Sequence, residues 1–132
     1  MSPELTILGC TLVLALVQIL LPALWRTRET GAAYNVGARD AAGPSVGKVT
    51  GRLQRAQANL LETLPLFAAA VLIAHVTAQE SALTLYGAAL YLAARVIYLP
   101  LYAFGIPVVR TLAWCVSLAG ILMILWAILF AS

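Results

Sequence analysis

Four long apolar runs, separated by polar punctuation, make up most of the chain. The first, about residues 5–25, is interrupted only by Thr6, Thr11 and Gln18. A polar stretch over about residues 26–50 follows. It carries Arg26, Arg28, Arg39 and Lys48, with Gly31, Gly37, Gly43, Pro44 and Gly47 as breakers. The second run, about residues 51–78, begins polar and becomes almost wholly apolar from Thr63 onward. Gln79-Glu80 form a very short turn to the third run, about residues 81–104. Gly105-Ile106-Pro107 ends that run, and Pro107 suits the first position of a fourth helix reaching about residue 130. Each run meets the roughly 20 residues needed to cross hydrocarbon. The pattern therefore predicts an all-α integral membrane protein, a four-transmembrane-helix bundle forming one domain over residues 1–132. Met1-Ser2-Pro3-Glu4 lacks the basic segment of a signal peptide, so the first run is expected to be retained as a helix.

Composition narrows the classes further. Of 132 residues, 63% are hydrophobic and 10% charged, with a mean hydropathy of +0.97. A soluble domain carries about 25% charge and 45–50% apolar residues, so a water-soluble globular fold and a disordered chain are both excluded. The net charge of +3 comes from scattered basic residues, which leave no nucleic-acid footprint. Four of them lie in the long polar stretch and none in the Gln79-Glu80 turn. The positive-inside rule then puts the stretch and the Arg110 end in the cytoplasm and both termini on the outer side. Cys10 and Cys115 fall at different expected depths, so no disulfide is expected. His75 is a lone histidine without metal-ligand spacing, so no metal is expected.

The informative residues are polar groups at membrane depth, where an ionisable side chain costs roughly 2.5–3.5 kcal/mol on insertion scales and usually faces a partner. Arg52, Arg55, Asn59 and Glu62 fall within an arc of about 80° on the second helix. Arg95, Tyr98 and Tyr102 share about 60° of the third, and Tyr91 continues that face. Counted from the short turn, Glu62 lies about 24 Å deep and Arg95 about 20 Å deep. The two are expected to meet, and a polar pocket should open toward the cytoplasm beside Arg110. Simpler assignments exist for several of these residues. Arg52 and Arg55 also fit the headgroup edge, Tyr98 and Tyr102 an aromatic belt, and a Glu62–Arg95 pair a device for helix register. Arg95 is too deep to snorkel easily. Arg110 opposes the helix dipole in the first turn of its helix, which points to a nearby anion. Pro65 and Pro100 lie inside spans and favour kinks.

Arg55-Ala56-Gln57-Ala58-Asn59-Leu60-Leu61-Glu62, followed by Pro65-Leu66-Phe67, closely resembles the second-helix signature of the MAPEG family (membrane-associated proteins in eicosanoid and glutathione metabolism). Arg95-x-x-Tyr98-x-x-x-Tyr102 resembles the family's third-helix motif, and Arg110 matches an arginine at the start of its fourth helix. The resemblance covers nearly the whole chain. It implies a homotrimer in which glutathione, as co-substrate, sits between subunits near the cytoplasmic side. Arg55, Asn59 and Glu62 would bind the charged ends of the tripeptide, Arg95, Tyr98 and Tyr102 would complete the site, and Arg110 would sit by the sulfur. Arg26 or Arg28 would contribute from the first helix, whereas Arg52 has no firm match. Thr63 stands where some eicosanoid-making members have tyrosine, and the short Gly105-Ile106-Pro107 turn resembles bacterial members, so eicosanoid synthesis is not expected.

The expected function is that of a membrane glutathione S-transferase or peroxidase of the bacterial inner membrane. It would activate the thiol for attack on a lipophilic electrophile or lipid hydroperoxide reaching it through the membrane lipids. Such chemistry is physically sound, because an adjacent arginine and a helix N-terminus both stabilise a thiolate. A non-catalytic membrane subunit using the same pocket for lipid or a partner protein is the alternative. A small four-helix exporter fits poorly, because such proteins rely on an acidic residue buried in the first span and here that span offers only Gln18.

Overall fold

The absence of water from a bilayer core forces every spanning backbone to satisfy its own hydrogen bonds, and helices do so within one segment. The computed structural model describes residues 1–30 and 47–130. It contains α1 (Pro3–Thr30), α2 (Lys48–Val76), α3 (Ala82–Ala103) and α4 (Pro107–Leu129). All four are long and apolar enough to cross a membrane. Helix α1 runs through Arg26 and Arg28 to Thr30, so these two arginines are helical rather than part of a loop beginning at residue 26. The rest of that expected loop, residues 31–46 with Arg39, lies outside the described residues. Pro22, Pro65 and Pro100 all sit inside continuous helices.

Helices α2 and α3 each touch all three others, whereas α1 and α4 do not touch each other. The bundle is thus a rhombus in section, with α2 and α3 across its short diagonal. The most extensive contact, between α3 and α4, rests on two glycines. A Cβ on Gly120 would lie 2.5 Å from the Gly87 carbonyl oxygen and 2.9 Å from the Tyr91 nitrogen. A Cβ on Gly87 would lie 2.7 Å from the Gly120 carbonyl oxygen. Close backbone approach of this kind is how membrane helices associate when lipid is as apolar as the side chains. In the core, the Phe67 and Tyr91 rings stack at 4.1 Å, and Tyr91 reaches across to Thr63, 2.8 Å between hydroxyl oxygens.

Polar clasps close both ends. At one, the Ser2 hydroxyl donates to Glu80 at 2.6 Å, the Thr84 hydroxyl donates to buried Glu4 at 3.0 Å, and His75 lies 3.2 Å from Glu80. Ser81 and Thr84 form a capping box at the start of α3. At the other end, the Arg52 guanidinium donates to the Ala103 carbonyl at 3.4 Å and packs over Gly105. Gly105 has φ +72°, and a Cβ there would sit 2.8 Å from the guanidinium carbon, so this turn requires glycine. Arg52 therefore neutralises the C-terminal end of α3.

Two outcomes follow. Gly120→Val should destabilise the bundle by about 3 kcal/mol or more, because backbone rather than a movable side chain occupies the space; thermal unfolding in detergent reads this directly. The Ser2 hydroxyl, helped by His75, holds the Glu80 carboxyl below its ordinary value against an opposing desolvation effect. A depressed carboxyl stabilises above its unfolded pKa and loses that contribution as pH falls through the folded one. The melting temperature should therefore fall more steeply below about pH 4.3 in the native chain than in Glu80→Gln.

Candidate functional site

Arg95 organises the polar interior. It is fully buried, although it lies in a membrane-spanning helix. Its Nη1 donates to Asn59 Oδ1 at 2.8 Å, and its guanidinium lies 4.2 Å from the Tyr98 ring centre. Among the described residues, its Nε and Nη2 have no acceptor. The expected meeting of Arg95 with Glu62 does not occur: Asn59, one turn away on α2, takes the contact, while Glu62 points outward and is exposed. Equal depth put Glu62 and Arg95 on a level, but the face that α2 turns toward α3 carries Asn59.

Tyr98 packs edge-on against Tyr102 at 5.5 Å. Two further guanidinium groups converge on Tyr102, Arg110 at 4.6 Å and Arg55 at 5.9 Å from the ring centre. Helix α4 starts at Pro107, which places Arg110 in its first turn. Arg55, Arg95 and Arg110 thus surround one tyrosine pair, and among the described residues none of the three has a carboxylate within 4 Å. Three cations with aromatic and amide partners make a site suited to an anionic ligand.

Several cavities open on the bundle, two of which bear on the predicted site residues. One, of about 240 Å³, is lined by Asn59, Tyr98, Tyr102, Arg110, Thr111 and Trp114. The other, of about 270 Å³, opens between α1 and α2 and is lined by Arg26, Thr27, Gln54 and Gln57 beside Pro22 and Ile19. Arg26 lines this cavity, whereas Arg28 is exposed and lies over Trp25 at 5.4 Å. The structure thus brings Asn59, Arg95, Tyr98, Tyr102, Arg110 and Arg55 together. It places Arg26 on a different edge of the bundle and Glu62 on the outer surface. Sequence reasoning missed Thr111, Trp114, Gln54 and Gln57. Trp114 stands four residues after Arg110, so helical spacing from that arginine was the available signal, and Gln54 and Gln57 stand three apart on one face of α2. No cluster of histidine, cysteine or acidic residues able to hold a metal occurs among the described residues. Cys10 and Cys115 are free and exposed.

Comparison with known proteins gives one match. A family model described as MAPEG family matches residues 7–130, nearly the whole chain. No curated protein and no solved structure matches. Four apolar spans and this match together make the chain an integral membrane protein. The second-helix signature, the Arg95/Tyr98/Tyr102 face, the Arg110 position and the family match all agree, and the chain belongs to the MAPEG family.

Proposed function

We propose that this protein is a membrane glutathione S-transferase or peroxidase that works as a homotrimer, with glutathione bound between copies. The observation that carries this is the set of three arginines around Tyr98 and Tyr102, none of which has a carboxylate within 4 Å among the described residues. Glutathione carries two carboxylates and, once activated, a thiolate. Arg55 suits a carboxylate, with buried Arg95 adding its charge from behind Asn59 and Tyr98; Tyr98 and Tyr102 suit the backbone polar groups, and Glu62 the ammonium. Arg110 is the catalytic residue, and its charge stabilises the thiolate.

Two features support a site completed by a second copy. Glu62 and Arg55 lie within a span and are exposed on the single chain, an arrangement lipid would penalise and an interface would accommodate. The Arg26/Gln57 cavity and the Arg110/Tyr102 cavity also lie on different edges of one chain. Trimer symmetry would bring one of each together. The basic residues favour an orientation with this end of the bundle in the cytoplasm, and the resemblance of the short α3–α4 turn to that of bacterial members favours a bacterial inner membrane.

In this mechanism the thiol proton leaves to solvent as Arg110 lowers the thiol pKa from about 8.5. With an electrophile, the thiolate forms the new carbon–sulfur bond. With a hydroperoxide, it attacks the distal oxygen and breaks the O–O bond; a second glutathione then yields the disulfide, leaving an alcohol and water. The lipophilic partner enters from the bilayer.

Purified protein in detergent should bind glutathione saturably and develop thiolate absorbance in the ultraviolet. Arg110→Ala should lose about tenfold or more of the thiolate signal at neutral pH, as the thiol returns toward its free pKa. No binding at millimolar glutathione would end the transferase assignment and leave a lipid- or partner-binding subunit. Asn59→Leu removes the one acceptor that Arg95 has among the described residues. It should cost about 2 kcal/mol in stability and weaken glutathione binding, whereas Asn59→Asp, which keeps an acceptor oxygen, should retain most of both.

A further inference from the structure

Trp114 has no part in the glutathione assignments above, yet it lines the same cavity as Arg110, Tyr98 and Tyr102. Its indole Nε1–H is buried and has no acceptor among the described residues. A buried indole N–H usually finds a partner, because leaving one unmade costs about 1–3 kcal/mol. Of the neighbouring groups, the Thr111 hydroxyl donates to the Pro107 carbonyl at 3.1 Å, Asn59 Oδ1 accepts from Arg95, and Arg110, a donor only, lies over Tyr102. Trp114 and Arg110 are four residues apart on α4, so they share a face with a rise of about 6 Å between them. Because α4 begins at Pro107, Trp114 is one turn deeper in the span than Arg110. A lipophilic molecule arriving through the bilayer would meet Trp114 first.

We infer that Trp114 is the specificity-determining residue for the second substrate, and that its indole N–H takes the carbonyl oxygen of a conjugated enone or enal. This rests on the proposed transferase function. A sulfur held at Arg110 makes a near-attack contact of about 3–3.5 Å with a β-carbon. The conjugated C=C–C=O unit extends its oxygen from there along the same helix face, toward Trp114. As the carbon–sulfur bond forms, the C=C electron pair shifts to join the α-carbon to the carbonyl carbon and the C=O pair moves onto that oxygen, where the indole N–H holds the developing charge. The enolate then takes a proton from water at its α-carbon, which balances the proton lost when the thiol ionised. Nothing leaves, and the product is the saturated thioether.

The test compares two lipophilic probes with glutathione, benzylideneacetone, which carries the enone, and benzyl chloride, which carries no carbonyl. In Trp114→Phe the ratio of kcat/KM for benzylideneacetone to that for benzyl chloride should fall about tenfold or more. Glutathione binding by the variant reports that it has folded. A second readout needs no variant: the saturated ketone benzylacetone should inhibit benzyl chloride turnover by the native protein about tenfold more strongly than butylbenzene does. An unchanged ratio, or equal inhibition by ketone and hydrocarbon, overturns the role of Trp114. Turnover of benzyl chloride without benzylideneacetone also overturns it, and leaves the transferase function standing. Turnover of neither by protein that binds glutathione ends both.

Discussion

A guanidinium in the middle of a hydrocarbon span must be held by the protein itself, because no water is there to solvate it. Arg95 meets that demand with an amide oxygen from α2 and the face of a tyrosine on its own helix. The Asn59 contact fixes the rotation and height of α2 against α3, the two helices across the short diagonal of the bundle. With that register set, Tyr98 and Tyr102 are aligned along one face. Arg55 from α2 and Arg110 from α4 then converge on the same ring. The glycine contact between Gly87 and Gly120 brings α4 close enough to α3 for Arg110 to reach Tyr102. One buried cation sets the frame on which two more exposed cations are aimed.

The resulting charge balance explains why the bundle suits a small anion. Glu4 and Glu80 bind hydroxyls and His75 at the other end, and at this end Glu29 is taken by the Gly47 amide and the Thr50 hydroxyl. Around the tyrosine pair the described residues supply cations, amides and rings, with Glu62 turned away. A single chain therefore presents a positively charged half-site, with a second polar recess bearing Arg26 and Gln57 on another edge. In the proposed trimer these become two walls of one site. The same arrangement would account for charged side chains that face outward at membrane depth.

Much of this was legible in the sequence, for identifiable reasons. Long apolar runs leave little freedom in the number of spans, and Pro107 marked the start of α4 as well as any cap. The polar stripe on α2 and the tyrosine face on α3 followed from helical periodicity. What failed was the pairing within the stripe. Asn59 and Glu62 differ by about 60° around the helix, and depth counted from a short turn cannot separate them. Opposite charge made Glu62 the natural partner for Arg95, but the packing of α2 chose the neutral amide. The end of α1 also ran past its apolar segment, because Arg26 and Thr27 continue the helix into the polar stretch. Trp114 and the two glutamines carried no charge out of place, so helical spacing was the sole mark that set them apart from lipid-facing or edge residues. Arg52 gained a role only once the glycine turn was seen beneath it.

The claim on which the account turns is that Arg26 of one copy and Arg110 of another serve the same bound glutathione. Mixed oligomers test it most directly. Chains carrying Arg26→Ala and chains carrying Arg110→Ala are expected to lose thiolate formation when each is assembled alone. Co-assembled, they should recover it at those interfaces where an intact Arg26 meets an intact Arg110. Recovery only on co-assembly is the predicted result. Failure to recover in oligomers shown to contain both chains would place the whole site within one chain and contradict the account.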